Sequence, residues 1–327
     1  MTSMTAIATL LLCAAACGDD AAVVRDAPIA SGDAIDAADP DAAGCVPGAA
    51  PTTPPPSGPA CTAGGIPGAC LDVSACVDSR SPTSGQCAGP AAIQCCTPRY
   101  ADTIACDPNA RFDPNNCLVE EPGDPGCPAG MARIAAFCVD RHEASIEGAS
   151  PHHPPPAGAR ALSVRGAIPQ GHISQLAAGA ACATAGKRLC TDDEWLRACR
   201  GAANRTYPYG DTRAPGVCND ARAQHPAVEL YGTTASWIFS HLDSPCFGQL
   251  ANGLAPTGDH AGCVSADGAF DMMGNLHEWT ANPAGTFRGG FFVDTALNGD
   301  GCQYATTAHD TSYRDYSTGF RCCADAN

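Results

Sequence analysis

Apolar residues are unevenly spread along this chain, and their spacing separates stretches that can fold from stretches that cannot. An apolar run from Ala6 to Ala16 gives way to residues 17–60, which hold almost no large apolar side chain, and then to a Cys-, Gly- and Pro-rich stretch reaching residue 126. Regular patterning begins at Cys127. CPAGMARIAAFCVDRHEAS carries apolar positions on both sides of a short turn and predicts a hairpin, with Cys127 and Cys138 placed to close it. SQLAAGAACATAG predicts a helix ended by Gly186. TDDEWLRACRG predicts a second helix: Thr191 and Glu194 form a capping box, Trp195 and Cys199 share a face at i and i+4, and Gly201 stops it. Beyond Gly201 the pattern is one of short strands and Gly/Pro/Asn turns. Two helices inside a loop-rich domain of about 200 residues predict an α+β architecture in which irregular loops cover the sheets. Loops of that extent need a ligand, a metal or a disulfide to hold them.

Composition changes this picture in two ways. The 327 residues carry a net charge of -16 with only 18 Lys+Arg, and no basic cluster occurs, so nucleic acid and anionic membrane surfaces are excluded as partners. The 22 cysteines include no Cys-x-x-Cys pair, which favours an oxidised disulfide framework over zinc and places maturation outside the cytoplasm. The apolar run is too short to span a bilayer, and with the alanines before Cys17 it resembles a bacterial lipoprotein signal. That resemblance implies a signal peptide over 1–16, lipidation of Cys17, and anchorage at the bacterial cell envelope, facing periplasm or cell surface. An ordinary secretory signal cut near Ala16 is the alternative.

Residues 17–60 are Ala, Asp, Pro and Gly, a composition that buries too little surface to offset ordering entropy. They read as a disordered acidic tether. Residues 61–97 hold six cysteines and read as a small module stapled by three bridges, for which fifteen connectivities are possible. Its ending resembles small cysteine-rich modules found beside cell-wall hydrolase domains, so a spacer knot and a carbohydrate-binding unit are both open. Residues 98–126, with Cys106 and Cys117, read as a connector to a domain over 127–327.

In that domain GKRLCTDDEW, YPYGD, CND, GAFDMMGNLHEWT, RGG and the terminal GFRCC follow one another in order. Together they resemble the sulfatase-modifying-factor, or formylglycine-generating-enzyme-like, family over roughly residues 127–325. The resemblance implies a C-type-lectin-like fold with little regular secondary structure, and bound calcium. Independently, Asp271 and Glu278 flank a Gly-Asn turn whose carbonyls can point inward, an oxygen-only donor set suited to a hard cation. The family motif implies calcium ligation by the side chains of Asp271 and Glu278 and the carbonyls of Gly274 and Leu276. The alternative is that Glu278 makes an ion pair and Asp271 caps a turn. A second family calcium loop matches Asn219 and the carbonyl of Asp220.

Members that generate formylglycine hold copper(I) on two cysteines, one four residues past RGG and one five residues later, because soft thiolates select that ion. Here Asp294 occupies the first position and the second falls in Asn298-Gly299-Asp300, so copper is not expected. Carrying over the family's structural cysteines implies Cys199 with Cys302 and Cys182 with Cys322; Cys190 and Cys323 are then candidates for a third staple. His277 stands where the family has Trp, in a position that lines the cleft near Asp294. Such a pair could act as an acid/base couple or supply two ligands to a hard metal, while satisfaction of each by the backbone is the plainer reading.

Three functions follow. One is a calcium-stabilised domain that binds a peptide, glycan or small molecule in the old substrate cleft after losing formylglycine chemistry. A second is an envelope oxidoreductase of altered chemistry on the same scaffold. The third is a formylglycine-generating oxidase whose loop aligns differently, which requires two reduced neighbouring thiols.

Overall fold

A computed structural model describes residues 58–76, 80–98, 115–220, 222–307 and 309–327. The 1–16 signal segment, Cys17, nearly all of the 17–60 tether and Cys106 lie outside the described residues.

The cysteine-rich module contains strands β1 (Ala60–Ala63), β2 (Ile66–Asp72), β3 (Arg80–Thr83) and β4 (Ile93–Pro98). They form an antiparallel sheet in the order β1-β2-β4-β3. Its bridges are Cys61–Cys95, Cys70–Cys87 and Cys76–Cys96. A module expected to be held by sulfur is therefore also held by a backbone ladder, which its sparse apolar residues did not announce.

The connector is not free-standing throughout. Asn115 makes two hydrogen bonds to the main chain of Ile168, and Glu120 accepts from the buried ammonium of Lys187 at 2.8 Å. Residues 115–126 are thus built into the domain that follows.

That domain opens with a hairpin of β5 (Met131–Ile134) and β6 (Phe137–Asp140), closed by Cys127–Cys138. A two-stranded ladder of β7 (Ser145–Ile146) and β8 (Ala161–Leu162) precedes helix α1 (Gln175–Thr184), capped by the Ser174 hydroxyl. After β9 (Arg188–Leu189), helix α2 (Asp192–Arg200) begins with the Thr191/Glu194 capping box and ends at Gly201, with Trp195 and Cys199 buried on one face. A short helix α3 (Pro226–Tyr231), capped by the ring of His225, interrupts a region the sequence patterned as loops. The remaining strands are β10 (His277–Trp279), β11 (Phe287–Arg288), β12 (Ala305–Thr306), β13 (Thr318–Phe320) and β14 (Cys322–Asp325).

Two four-stranded sheets result, ordered β5-β6-β14-β9 and β12-β11-β10-β13. The β10–β13 pair is parallel, with His277 opposite Thr318 and Trp279 opposite Phe320. Since β13 and β14 are consecutive, Arg321 sits at the junction of the two sheets, fully buried. The core runs beside both. Trp279, Phe287 and Phe320 pack with the Cys182–Cys322 bridge under α1, while Trp195 packs with Cys190–Cys323 and Cys199–Cys302 under α2. Cys218–Cys263 closes a further loop. Among the described residues no helix is long and apolar enough to cross a membrane.

Candidate functional site

The RGG turn leads out of β11, and its glycines are there for space. Gly289 has φ +83°, and a Cβ on it would lie 3.1 Å from the Trp195 ring; Gly290 has φ +71°, and a Cβ would meet the Asp294 carbonyl oxygen at 2.3 Å. This close packing lets Phe291 and Asp294 exchange two backbone hydrogen bonds in a tight turn, which fixes where the Asp294 side chain emerges. Asp294 Oδ1 accepts from the backbone N–H groups of Ala296 and Leu297, both at 3.0 Å. The carboxylate that replaces the first copper thiolate therefore caps its own loop. In the Asn298-Gly299-Asp300 stretch, where the second thiolate's position was expected to fall, Asn298 donates to the Tyr304 hydroxyl at 3.3 Å. Cys302 is bonded to Cys199. Every cysteine from Cys117 to Cys323 is in a disulfide.

His277 and Asp294 do not meet directly. Tyr304 stands beside His277: its hydroxyl lies 3.4 Å from His277 Nε2 and accepts from Asn298 Nδ2. On the other side of the ring, Nδ1 is 3.1 Å from the Ser317 hydroxyl, which donates to Asp315 Oδ1 at 2.8 Å. Because Ser317 gives its proton to a carboxylate, it accepts from His277, so Nδ1 carries the imidazole proton and Nε2 is an acceptor facing Tyr304. A continuous donor-to-acceptor chain Asn298, Tyr304, His277, Ser317, Asp315 follows, built from strand β10 and the two loops that flank β12. Its middle is sealed. His277 is 6% exposed and Tyr304 3%, and the imidazole packs against Phe287, Phe291 and Tyr304. Burial, then the neighbouring His309 charge, holds His277 down to about 3, so it is neutral. Burial and then the Asp294 charge push Tyr304 up to about 12. His277 and Asp294 thus form no direct couple, and His277 lies in a buried hydrogen-bonded chain with one exposed end.

The turn expected to hold calcium gives its two carboxylates unequal roles. Both oxygens of Glu278 accept from Arg321 at 2.6 Å, and Oε2 also accepts from the Trp195 indole at 2.7 Å. Glu278 is consequently paired with a buried guanidinium, the ion pair that was the alternative to cation ligation. Asp271 Oδ2 accepts only from Gly258 N–H, at 2.7 Å. A third carboxylate, Glu143, accepts from Asn275 and from the backbone N–H of Leu276, a role no motif announced. Three buried carboxylates facing one guanidinium leave an excess of negative charge. Burial and then the charges of Asp271 and Glu278 push Glu143 well above the carboxylate range, and burial pushes Asp271 up to about 6. The three do not converge, since among the described residues no three carboxylate or imidazole ligand atoms come within 4.8 Å of one another. The donors left to a cation are Asp271 and the carbonyls of Gly274 and Leu276.

Asn275 is the hub that sequence reading missed. It is 1% exposed at φ +55°, its oxygen accepts from Asn219 Nδ2 and Ala255 N, and its nitrogen donates to Glu143 and Ala255 O. The second expected calcium loop is thereby brought against the first. Asn219 spends its amide on Asn275 and Gly253, while the Asp220 carboxylate accepts from Arg213, Gly216 N–H and Thr295. Asn219 and Asp220 line a cleft of about 760 Å³ that also takes in Arg222, Asn252, Leu254 and His260. Neither His277 nor Asp294 lines it. Its acidic and guanidinium groups are paired, Asp220 with Arg213 from outside the lining and Arg222 with Glu229 within it.

The inactive C-alpha-formylglycine-generating enzyme 2 of Mus musculus is 32% identical over 170 residues, covering 49% of this chain and 50% of that protein. The formylglycine-generating enzyme of Streptomyces coelicolor is 29% identical over 214 residues, covering 56% and 60%. The chain thus spans about half the length of the mouse relative and of its bovine counterpart. Among solved structures, PvdO from Pseudomonas aeruginosa is similar at 14% identity and a TM-score of 0.37, covering 58% of this chain and 80% of that one. The sulfatase-modifying factor enzyme 1-like domain matches residues 130–326, more than half of the chain, and this protein belongs to that formylglycine-generating-enzyme family.

Proposed function

We propose that this chain is a divergent member of its family that binds a ligand on the old scaffold and carries out no copper-dependent oxidation. The observation that carries the reading is the state of sulfur: Asp294 and the Asn298-Gly299-Asp300 stretch stand at the expected copper positions, and every cysteine from Cys117 to Cys323 is already in a disulfide. A copper(I) site needs thiolates, and this region offers none. An enzyme of altered chemistry at His277 is not favoured, because His277 and Tyr304 are sealed from solvent.

The ligand in this reading is an uncharged polar molecule, a glycan, peptide or metabolite, seated in the cleft beside Asn219, whose acidic and guanidinium groups are already paired. The C-type-lectin-like architecture belongs to the same proposal, as does one calcium ion held by Asp271 with the Gly274 and Leu276 carbonyls. The ion would neutralise the excess buried charge around Glu143 and stiffen the turn. A lipid on Cys17 and the acidic 17–60 tether would present the domain at a bacterial cell envelope.

The test is a copper(I) titration of the mature protein against a chromogenic chelator, run beside an assay for conversion of a cysteine-containing sulfatase peptide. No retained copper and no conversion are expected; stoichiometric copper with turnover overturns the proposal. Melting in calcium against chelator checks the ion, with a higher Tm in calcium expected and lost in Asp271→Asn.

A further inference from the structure

The module's sheet selects one of the fifteen connectivities and keeps a second within reach. Successive residues of a strand face opposite sides of a sheet, so Cys95 and Cys96 point apart. Cys96 and its partner Cys76 belong to one face. On the other face Cys70 and Cys95 are direct cross-strand partners in the β2–β4 register, yet each is bonded elsewhere, Cys70 to Cys87 and Cys95 to Cys61. Two bridges therefore lie side by side, with the sulfurs of Cys61, Cys87 and Cys95 all within 4.8 Å of one another. Directly opposed residues of an antiparallel pair have Cα atoms about 4.5–5.5 Å apart, a separation a disulfide can span. Pairing Cys70 with Cys95 and Cys61 with Cys87 needs no sliding of β2 against β4. It closes loops of about 26 and about 25 residues in place of 34 and 17, and since closure entropy follows the logarithm of length, neither pairing is strongly preferred on that ground.

We propose that this face of the module is a thiol–disulfide exchange site, at which a small-molecule thiol converts Cys61–Cys95 and Cys70–Cys87 into Cys61–Cys87 and Cys70–Cys95. Access sets the order of events. Cys87 is half-buried in an otherwise exposed loop over residues 84–92, whereas Cys70 and Cys95 are buried. The incoming thiolate attacks the Cys87 sulfur, forms a mixed disulfide and releases Cys70 as a thiolate. Cys70 attacks Cys95 directly opposite, forming Cys70–Cys95 and releasing Cys61. Cys61 then attacks Cys87, forms Cys61–Cys87 and expels the original thiolate. One sulfur–sulfur bond forms as one breaks at each step, and no electrons are gained or lost. Cys76–Cys96, on the far face, takes no part and is the internal control.

The mature full-length protein is incubated with limiting reduced glutathione, quenched in acid and mapped for disulfide-linked peptides. Linked peptides for Cys61–Cys87 and Cys70–Cys95 are expected to appear while Cys76–Cys96 persists. A map in which Cys70 and Cys87 become reduced or glutathionylated without either new bridge overturns the proposal. So does an unchanged map at a glutathione concentration that opens an exposed reference disulfide. Cys61→Ser gives a second readout that needs no added thiol. The freed Cys95 should displace Cys87, so that the unpaired thiol is Cys87, alkylated in the native protein. An unpaired Cys95, alkylated only after denaturation, contradicts exchange.

Discussion

In the 60–98 module six cysteines tie together four strands that bury little besides sulfur: Cys70, Cys95 and Cys96, with Ala63, Leu71 and Thr97. In the domain from residue 115 onward, Cys190–Cys323 and Cys199–Cys302 sit inside a cluster that also holds Trp195, Ile134, Val139 and Met272. The same bond does different work in the two places. Where there is almost no core, it limits the unfolded chain and substitutes for packing; where there is a core, it adds to packing already in place. The polar interior differs as well. The domain buries an Arg321–Glu278 pair, Asn275, and the chain from Tyr304 to Asp315, whereas Thr97 is the module's one buried polar residue among the described residues.

The sharpest way to break this contrast is to attack the domain without touching sulfur. Arg321→Met leaves Glu278 buried with the Trp195 indole as its remaining donor, which should cost about 3–5 kcal/mol. Chemical denaturation should show a large loss of domain stability with the module's disulfide map unaltered. Removing sulfur from the module is next: Cys76→Ser with Cys96→Ser should cost it about 2–4 kcal/mol. Limited proteolysis should then cut within 60–98 and spare the domain. Equal protease resistance of both variants would mean that the two regions do not differ as argued.

Much of the domain was legible because its signals are local. The capping box, the Gly201 stop and the Trp195/Cys199 face of α2 depend on residues four apart or fewer, and the β5–β6 hairpin on one short turn. The pairs Cys182–Cys322 and Cys199–Cys302 came from family spacing and Cys190–Cys323 from the two cysteines left beside them, and these are the bridges present. What was not legible depends on distant chain segments meeting. No local pattern tells that β10 lies parallel to β13, that Arg321 reaches Glu278 across a sheet junction, or that Glu143 accepts from Asn275. His277 and Asp294 were read as a facing pair because Tyr304, which meets His277 instead, comes from a third segment, one carrying no motif.

That hydrogen-bonded chain gives a smaller test within the domain. Tyr304→Phe removes the hydroxyl joining Asn298 to His277 and should lower stability by about 1 kcal/mol, with binding in the cleft beside Asn219 unchanged. The smallest effect is set by acid. His225 Nδ1 accepts from Ala227 N–H at the start of α3, so its Nε2–H faces the Tyr316 hydroxyl at 3.1 Å. Burial and then the Arg222 charge lower its pKa to about 4. The unfolded chain, titrating near the ordinary value of 6.5, binds this proton more readily than the folded one. Its contribution is therefore present above about pH 6.5 and lost as pH falls toward 4. Amide protection factors at Leu230 and Tyr231, corrected for intrinsic exchange at each pH, should fall across that window, and His225→Asn, which keeps a cap, should flatten the response.

The central claim is that the copper thiolates of the family have been replaced here and that sulfur in the domain is structural. It is tested most directly by alkylating the mature protein in denaturant without reductant and mapping each cysteine from Cys117 to Cys323. The account predicts that none of them is alkylated. Two alkylated cysteines within that region, together with stoichiometric copper(I) on the unmodified protein, would contradict it.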